Sequence, residues 1–245
     1  MKFDLSRLNF SRKDLLRGLT LPSEMNEALA EDIGIMVGDG CLHQTIRKTS
    51  TSNEIQCYGN ATSDRTYYEI YVKNLKKELY NLNFSFLIKK KNTCALIRDS
   101  KGLFEFYTTI IGLPRGRKDN IGLPIVIWSD TKFIRACLRG LIDSDGSFQI
   151  KMRNYPVVKL NFASKKLIQD CQKAFNLLGL KVSIKTDCAM IHSITKRPYI
   201  TNYLYLSGHE KIEQYTQLIG FSNPKNILKL QEYKTGSLGF EPRTP

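Results

Sequence analysis

Two stretches in the second half of the chain alternate strictly between apolar and polar residues, which is the period of a β-strand with one buried face. Every second residue is apolar in 147–153 (FxIxM), and the same alternation returns in 157–164 (VxLxF). Asn154-Tyr155-Pro156 between them has the composition of a turn. The pattern predicts an antiparallel hairpin with one face packed on helices and one polar, open face.

The pattern that follows this hairpin predicts a repeating order of elements. An amphipathic helix begins after Ser164 and ends near Gly179, a second strand pair spans 181–206, and a further helix starts near His209. The first half repeats this order, with strands near 41–47, 53–59, 84–90 and 94–100 and with helices at 64–81 and from 102 onward.

The last helices of the two halves also resemble each other in sequence, since EFYTTIIG in the first aligns with EQYTQLIG in the second. We therefore predict an α+β protein of two pseudosymmetric αββαββα halves, with antiparallel, saddle-shaped sheets and helices packed behind them. The predicted divisions are a basic N-terminal arm (1–24), a first half (25–113), a Pro- and Gly-rich linker (114–130), a second half (131–235) and a loose or peripheral tail (236–245).

Each half begins with a helix that carries small residues on one face and ends in Asp-Gly. The sequences are DIGIMVGDG at 32–40 and LRGLIDSDG at 138–146. Glycine inside a helix costs about 0.5–1 kcal/mol relative to alanine, so its repeated use predicts close packing of these two helices. Residues three or four positions apart share a helix face, and the predicted interface comprises Gly34, Gly38, Gly140 and Ser144.

Packing these helices would bring Asp39 and Asp145 side by side at the helix ends. Two carboxylates at one point repel each other unless a cation neutralises them. A hard divalent ion such as Mg²⁺, completed by waters and phosphate oxygens, is suited to such a pair. The alternative is that both Asp-Gly pairs are only helix-ending turns, and their repetition favours the site.

The charge balance favours a polyanionic partner. Lys and Arg number 37 against 23 Asp and Glu, a formal net charge of +14, although a merely basic soluble surface remains an alternative. No apolar run approaches the about 18 residues of a membrane span, so we expect an intracellular protein without a membrane partner. The six cysteines form no CxxC pair and are expected to be reduced thiols.

The open sheet faces carry amide and basic side chains, which are the groups that contact base edges in a major groove. An ordinary solvated sheet face is the alternative for any one of these residues. The predicted DNA-binding residues are His43, Thr45, Arg47, Gln56, Tyr58, Gln149, Lys151, Arg153, Lys159, Asn161 and Lys185.

The segment LRGLIDSDG differs from LAGLIDADG, the signature of the LAGLIDADG homing endonucleases, only at Arg139 and Ser144. DIGIMVGDG resembles a degenerate first copy that keeps the third-position glycine and the final Asp-Gly. The resemblance extends over about Glu27–Lys229. It departs at Val37, where the signature has its first Asp, and at Asp32, which replaces the leading Leu.

The resemblance implies a single-chain, monomeric endonuclease that cuts both strands of a long, asymmetric double-stranded DNA target. Two or three Mg²⁺ ions would be shared between the DNA phosphates and a set of residues comprising Asp39, Asp145, Gly38 and Ser144. Lys118 and Lys225 match the lysine that family members often carry after the last helix of each half, and would act on phosphate charge or on solvent. Asp143 would be a capping or structural residue.

Two other functions remain open, an intron RNA-binding maturase and a DNA-binding protein that does not cleave. The presence of both Asp39 and Asp145 favours cleavage over either. An intein is not expected, because the chain starts with Met-Lys and ends in Arg-Thr-Pro.

Overall fold

The computed structural model describes residues 2–89, 92–191, 193 and 195–236, so residues 237–245 of the predicted tail lie outside the described residues. The α-helices are α1 (Arg12–Leu16), α2 (Glu27–Val37), α3 (Lys73–Tyr80), α4 (Lys101–Glu105), α5 (Thr131–Asp145), α6 (Lys165–Leu177), α7 (His209–Leu218) and α8 (Pro224–Thr235). The strands are β1 (Gly40–Ile46), β2 (Thr51–Asn60), β3 (Ser85–Lys89), β4 (Thr93–Asp99), β5 (Ser147–Lys151), β6 (Tyr155–Phe162), β7 (Ser183–Ile191) and β8 (Pro198–Ser207). Single π-helical stretches precede α3 (Tyr67–Val72) and extend α4 (Phe106–Ile111).

The strands form two four-stranded antiparallel sheets with the same topology. The order is β1-β2-β4-β3 in the first half and β5-β6-β8-β7 in the second. One face of each sheet contributes to a continuous apolar core, with residues such as Ile55 and Leu96 in the first half and Val158 and Leu204 in the second fully buried. The α+β class and the two-halves layout predicted from the alternation are confirmed.

Helices α2 and α5 pack on each other at the centre of the molecule through their glycines. A Cβ atom on Gly34 would lie 2.1 Å from the Cys137 carbonyl oxygen, and one on Gly140 would lie 2.1 Å from the Glu31 carbonyl oxygen. Positions 34 and 140 are equivalent in the two motifs, as are 31 and 137, so the two contacts are related by the pseudo-twofold axis. Only glycine allows the helix backbones to approach this closely.

The second pair of small residues, Gly38 and Ser144, lies at the same interface. A Cβ atom on Gly38 would lie 2.2 Å from the Ser144 hydroxyl oxygen. The structure therefore brings together all four residues that the sequence placed at the helix interface.

An ion pair crosses this interface at the position where Arg139 departs from the family signature. The Arg139 guanidinium contacts the Glu31 carboxylate on α2 at 2.5 Å, and the Tyr71 hydroxyl donates to the same carboxylate. The Glu31 side chain is almost fully buried, whereas that of Arg139 is 27% exposed, so the carboxylate is shielded from solvent and the guanidinium only partly. The counterparts of these residues are Ile33 and Cys137, so the pair forms once and makes the interface asymmetric.

Asp32, the other departure from the signature, lies in the core of the first half. Its carboxylate accepts from the Lys76 ammonium at 2.6 Å, from the Tyr80 hydroxyl at 2.6 Å and from the Tyr107 hydroxyl. The side chains of Asp32 and Lys76 are fully buried. A buried carboxylate is tolerated only when it is paired and hydrogen-bonded in this way.

Two predicted strands end earlier than the alternation indicated. Strand β1 ends at Ile46, and Arg47 lies in the following turn, where its backbone N–H donates to Ser50. Strand β5 ends at Lys151, and Met152–Asn154 forms a 3-10 turn in which Met152 is 91% exposed. Asn154 adopts a left-handed φ of 56° that closes this hairpin. The prediction that Arg47 and Arg153 lie in the strand registers is therefore wrong, and the Arg153 side chain lies outside the described part of the structure.

The segments flanking the first half pack against the two halves. Near the N-terminus, Asp14 is fully buried and accepts from the Ser100 hydroxyl and the Gly102 backbone. In 114–130, Val126 and Ile127 are buried in a 3-10 turn (Ile125–Ser129). Within the described ranges, no helix has the length and apolarity needed to cross a membrane.

Candidate active site between the paired helices

The two motif acids converge where α2 and α5 end. Asp39 follows α2 and is half-buried, whereas Asp145 is the last residue of α5 and is exposed. A Cβ atom on Gly38 would lie 3.5 Å from the Asp145 Cβ, which shows how closely the two helix ends meet. The Tyr68 hydroxyl, buried behind Asp39, donates to the Asp39 Oδ2 at 2.5 Å.

The surroundings of these acids oppose their ionisation. The pKa of Asp39 is raised to about 8, first by burial and then by the neighbouring Asp145 and Asp64 charges, against the opposite effects of the Tyr68 hydrogen bond and the Lys118 charge. Desolvation by the surrounding residues also raises the pKa of Asp145, and the Lys118 charge and a hydrogen bond with Asp39 oppose that rise. Two neighbouring carboxylates whose ionisation is disfavoured are stabilised in their charged form by a bound cation.

Lys118 lies beside both acids and caps α2. Its ammonium donates to the carbonyl oxygens of Met36 at 3.2 Å, Val37 at 2.9 Å and Gly38. A cation at a helix C-terminus is stabilised by the carbonyl dipoles. Burial lowers the Lys118 pKa, and the Asp145 and Asp39 charges oppose this change.

Lys225 does not occupy the corresponding place in the second half. Its ammonium pairs with Asp64 of the first half at 2.6 Å. At the end of α5, the Asp143 carbonyl, which is equivalent to Val37, accepts from the Asn223 side-chain amide at 2.9 Å. The interpretation of Lys118 and Lys225 as equivalent residues therefore does not match their placement, because Asn223 fills the position of Lys118.

Asp143 has the structural place that the sequence suggested. It is fully buried and accepts from the Asn226 side chain at 2.8 Å and from the backbone N–H groups of Ser222 and Asn223, at the start of α8. Burial raises the pKa of Asp143 to about 6, although these hydrogen bonds lower it. Its oxygens are thereby committed to fixing α8 against the end of α5.

The donors around Asp39 and Asp145 suit a hard divalent ion. Among the described residues, no cluster of three or more His, Cys, Asp or Glu side chains is arranged to hold a metal, so the two carboxylates would share an ion with waters and phosphate oxygens, as Mg²⁺ prefers. The Gly38 carbonyl already accepts from Lys118, and the Ser144 hydroxyl donates to Gly140 and Leu141 of its own helix. Metal ligation by Gly38 and Ser144 stays a prediction.

The open face of the first sheet carries a connected row of polar side chains. The Lys89 ammonium donates to the Tyr58 hydroxyl, Tyr58 donates to the Gln56 carbonyl oxygen at 2.5 Å, and the Gln56 amide donates to Glu54 at 2.5 Å. His43 is paired across the strands with Glu54 and contacts Thr45 at 3.1 Å. Four of the five residues predicted in this half therefore lie on one face, and Arg47 lies in the adjacent turn.

The open face of the second sheet is more basic. Gln149 and Lys151 lie on the same face as Lys159, Asn161 and Lys185, as the cross-strand pairing requires. These residues surround two stacked tyrosines, Tyr203 and Tyr205, whose ring centroids are 5.9 Å apart. The Lys159 ammonium lies 4.7 Å from the Tyr203 ring centroid, within cation–π range.

Several residues of the candidate site were not anticipated from the sequence. The alternation in β8 would have identified Tyr203 and Tyr205, and the alternation in β2 would have identified Glu54. Tyr68 and Asp64 gave no signal from the sequence. The approach of Tyr68 to Asp39 depends on how the helix after β2 packs within the first half, and that of Asp64 to Lys225 on how this helix meets the second half.

Comparison with known proteins supports the same architecture. Residues 132–220 match the family described as LAGLIDADG-like domain. A replication factor C small subunit from Methanocaldococcus jannaschii is 25% identical over 210 residues, which is 86% of this chain. The chain spans only about a tenth of that relative's length.

Solved structures share the fold at low sequence identity. I-DmoI, in a complex with DNA and calcium, superposes with a TM-score of 0.61 at 16% identity, over 84% of this chain and 97% of that one. The meganuclease I-SmaMI, bound to uncleaveable DNA, superposes with a TM-score of 0.52 at 11% identity, over 87% of this chain and 91% of that one. The match to the LAGLIDADG-like domain family thus covers the second half of the chain, and the likeness to I-DmoI extends the same fold to the first half.

Proposed function

We propose that the chain is a site-specific DNA endonuclease that hydrolyses one phosphodiester bond in each strand of a long double-stranded target. The observation that carries this proposal is the meeting of Asp39 and Asp145 at the ends of two packed helices, between two sheets with polar open faces. The fold that this chain shares with I-DmoI and I-SmaMI, both solved with DNA, supports the proposal.

Asp39 and Asp145 would hold divalent ions, Mg²⁺ in the proposal, together with phosphate oxygens of the two strands. When bound, such an ion lowers the pKa of a coordinated water and stabilises charge on the leaving oxygen. Tyr68 fixes the orientation of the Asp39 carboxylate through its hydrogen bond. Lys118 places a positive charge beside both acids, where it would stabilise charge that develops on the phosphate.

The two sheet faces would lie along the DNA and supply recognition. Because one chain contains both halves and both acids, a monomer would suffice for cutting both strands. The faces differ in chemistry, since the first carries Glu54 among amide and hydroxyl groups and the second carries three lysines beside Tyr203 and Tyr205. A pseudosymmetric protein with unlike faces is suited to an asymmetric target, because each base edge needs its own donor or acceptor.

The test is a cleavage selection from a randomised double-stranded DNA library in the presence of Mg²⁺, followed by variants on the selected site. Asp39→Asn and Asp145→Asn should each abolish double-strand cleavage while retaining DNA binding. Asp187→Asn is the matched control, since Asp187 is an exposed acid paired with Lys165, and it should cut normally. If either motif variant cuts both strands at the wild-type rate, the site assignment is wrong.

The same protein should be titrated with structured intron RNA as a competitor. Tight RNA binding together with no cleavage of any library member would favour the maturase alternative. DNA binding without cleavage would favour a non-cleaving DNA-binding protein.

A further inference from the structure

The carbonyl groups at the ends of α2 and α5 have donors of different charge. At the end of α2 a full positive charge, the Lys118 ammonium, lies against the Val37 carbonyl at 2.9 Å. At the equivalent carbonyl of α5, that of Asp143, the donor is the neutral Asn223 amide at the same distance. The pseudo-twofold axis therefore relates a cation to an uncharged group.

The second lysine, Lys225, is instead held by an acid of the other half. Its ammonium lies 2.6 Å from Asp64 Oδ1, and the two side chains are only 22% and 12% exposed. The other oxygen of Asp64 accepts from the Asn60 backbone N–H and the Ser63 hydroxyl, both at 3.1 Å, so the carboxylate is fixed in place. The ion pair is therefore rigid and poorly screened by solvent.

Asp64 has no acidic counterpart in the second half. It lies just before the helical segment that joins β2 to β3, and Ser164 caps the corresponding helix α6 between β6 and β7. The Ser164 hydroxyl donates to the Ile121 carbonyl in the linker at 2.6 Å. The first half thus has an acid, Asp64, that pairs with Lys225, whereas the second half has the Ser164 hydroxyl at the corresponding position.

We propose that Asp64 is a positioning residue that makes the two strand cleavages unequal, an inference that rests on the proposed endonuclease function. By pairing with Lys225, Asp64 fixes this lysine across the boundary between the halves. The negative charge of Asp64 also weakens the attraction of Lys225 for a DNA phosphate. A phosphate that approaches Lys225 competes with a carboxylate already in contact, whereas a phosphate that approaches Lys118 meets an ammonium held by backbone carbonyls. The strand at Lys118 is cut first, and the strand at Lys225 is cut second.

The experiment uses the full chain and the duplex recovered by the library selection, with a different fluorophore on each strand. Under single-turnover conditions with Mg²⁺, the wild type should cut one strand faster and accumulate a nicked intermediate. Asp64→Asn keeps a carbonyl acceptor but removes the charge, so it should speed the slow strand about tenfold, in line with one charged contact, and leave the fast strand unchanged. The strand ratio is informative because a general loss of folding would slow both strands together.

Two further variants separate charge from local structure. Asp64→Glu restores the carboxylate and should restore the wild-type strand ratio. Asp187→Asn removes a comparable contact, the exposed Lys165–Asp187 pair at 2.5 Å, and should leave the ratio unchanged. A folded Asp64→Asn protein with the wild-type ratio would overturn the proposal.

Lys225→Met provides an independent test if Asp64→Asn does not fold. It should abolish cleavage of the slow strand and retain cleavage of the fast strand, which would leave a nicked product. Equal loss on both strands, or no loss on either, would contradict the unequal roles of the two lysines. Failure of the wild type to cut any duplex would instead count against the proposed function itself.

Discussion

Replacing Gly34 or Gly140 by alanine tests the central helix packing. In most helices this change stabilises the protein by about 0.5–1 kcal/mol, because alanine is the better helix former. Here the added methyl group would lie 2.1 Å from a backbone carbonyl oxygen of the facing helix at either position. The structure therefore predicts the opposite sign.

The loss of stability can be estimated from the short distance between the added methyl group and the facing helix. Unstrained contacts of carbon begin at about 3.5 Å, so α2 and α5 would have to separate by more than about 1 Å at the contact. The obstructing atoms are backbone atoms, the carbonyl oxygens of Cys137 and Glu31, and cannot rotate away as a side chain could. Overpacking of this kind costs about 1–3 kcal/mol, and after subtraction of the helix-propensity gain we expect each variant to lose about 1–2 kcal/mol.

The measurement is thermal unfolding followed by circular dichroism. A loss of that size should lower Tm by about 2–8 °C in a chain of this length. Gly102→Ala is the control, because its methyl group would meet only the side-chain ends of Leu19, at 2.9 Å, and Phe10, at 3.2 Å. That control should unfold close to the wild-type Tm.

Two outcomes would refute this reasoning. If Gly34→Ala or Gly140→Ala is as stable as the wild type, or more stable, the helices do not approach as closely as described. If both lose stability but cleave normally at a temperature where they are folded, the spacing of Asp39 and Asp145 does not depend on this contact.

Three other predictions concern charge. The pKa of Asp39 is raised from 3.8 to about 8, so between these values the folded chain holds a proton that the unfolded chain has lost. Without metal, the stability of the protein should therefore fall as pH rises through this window. Thermal melts should show a weaker dependence of Tm on pH in Asp39→Asn and in the presence of Mg²⁺. Arg139→Ala should cost roughly 3 kcal/mol in urea unfolding, because it leaves the buried Glu31 without its cation, whereas Arg65→Ala removes an exposed pair and should cost under about 1 kcal/mol. Lys151→Ala should relax base preference locally if Lys151 contacts a base, or lower the salt dependence of binding by about one unit of slope if it contacts phosphate.

The architecture could be predicted from the sequence because its signals are local and repeated. Alternation at a period of two identified the strands, and the faces of Gln149, Lys159 and Asn161 follow from that period alone. The errors at Arg47 and Arg153 occurred at strand ends, where turn geometry rather than periodicity decides the backbone.

The duplicated Asp-Gly ends likewise predicted the meeting of Asp39 with Asp145. Two helices that each carry a stripe of small residues are expected to pack against each other, and their ends then coincide. Gly34 and Gly140 hold the same position in both copies. The sequence by itself therefore determined the fold class, the helix interface and the two acids.

Only the tertiary structure decided what surrounds those acids. Tyr68 on Asp39, Asp64 on Lys225 and Asn223 in the place equivalent to Lys118 join residues that are distant along the chain, and the Asp64–Lys225 pair crosses between the halves. A repeated motif predicts symmetry, but the charges around it come from segments that diverged independently in each half. Their placement depends on helix packing over many residues, because a side chain reaches only the few ångströms over which a hydrogen bond forms.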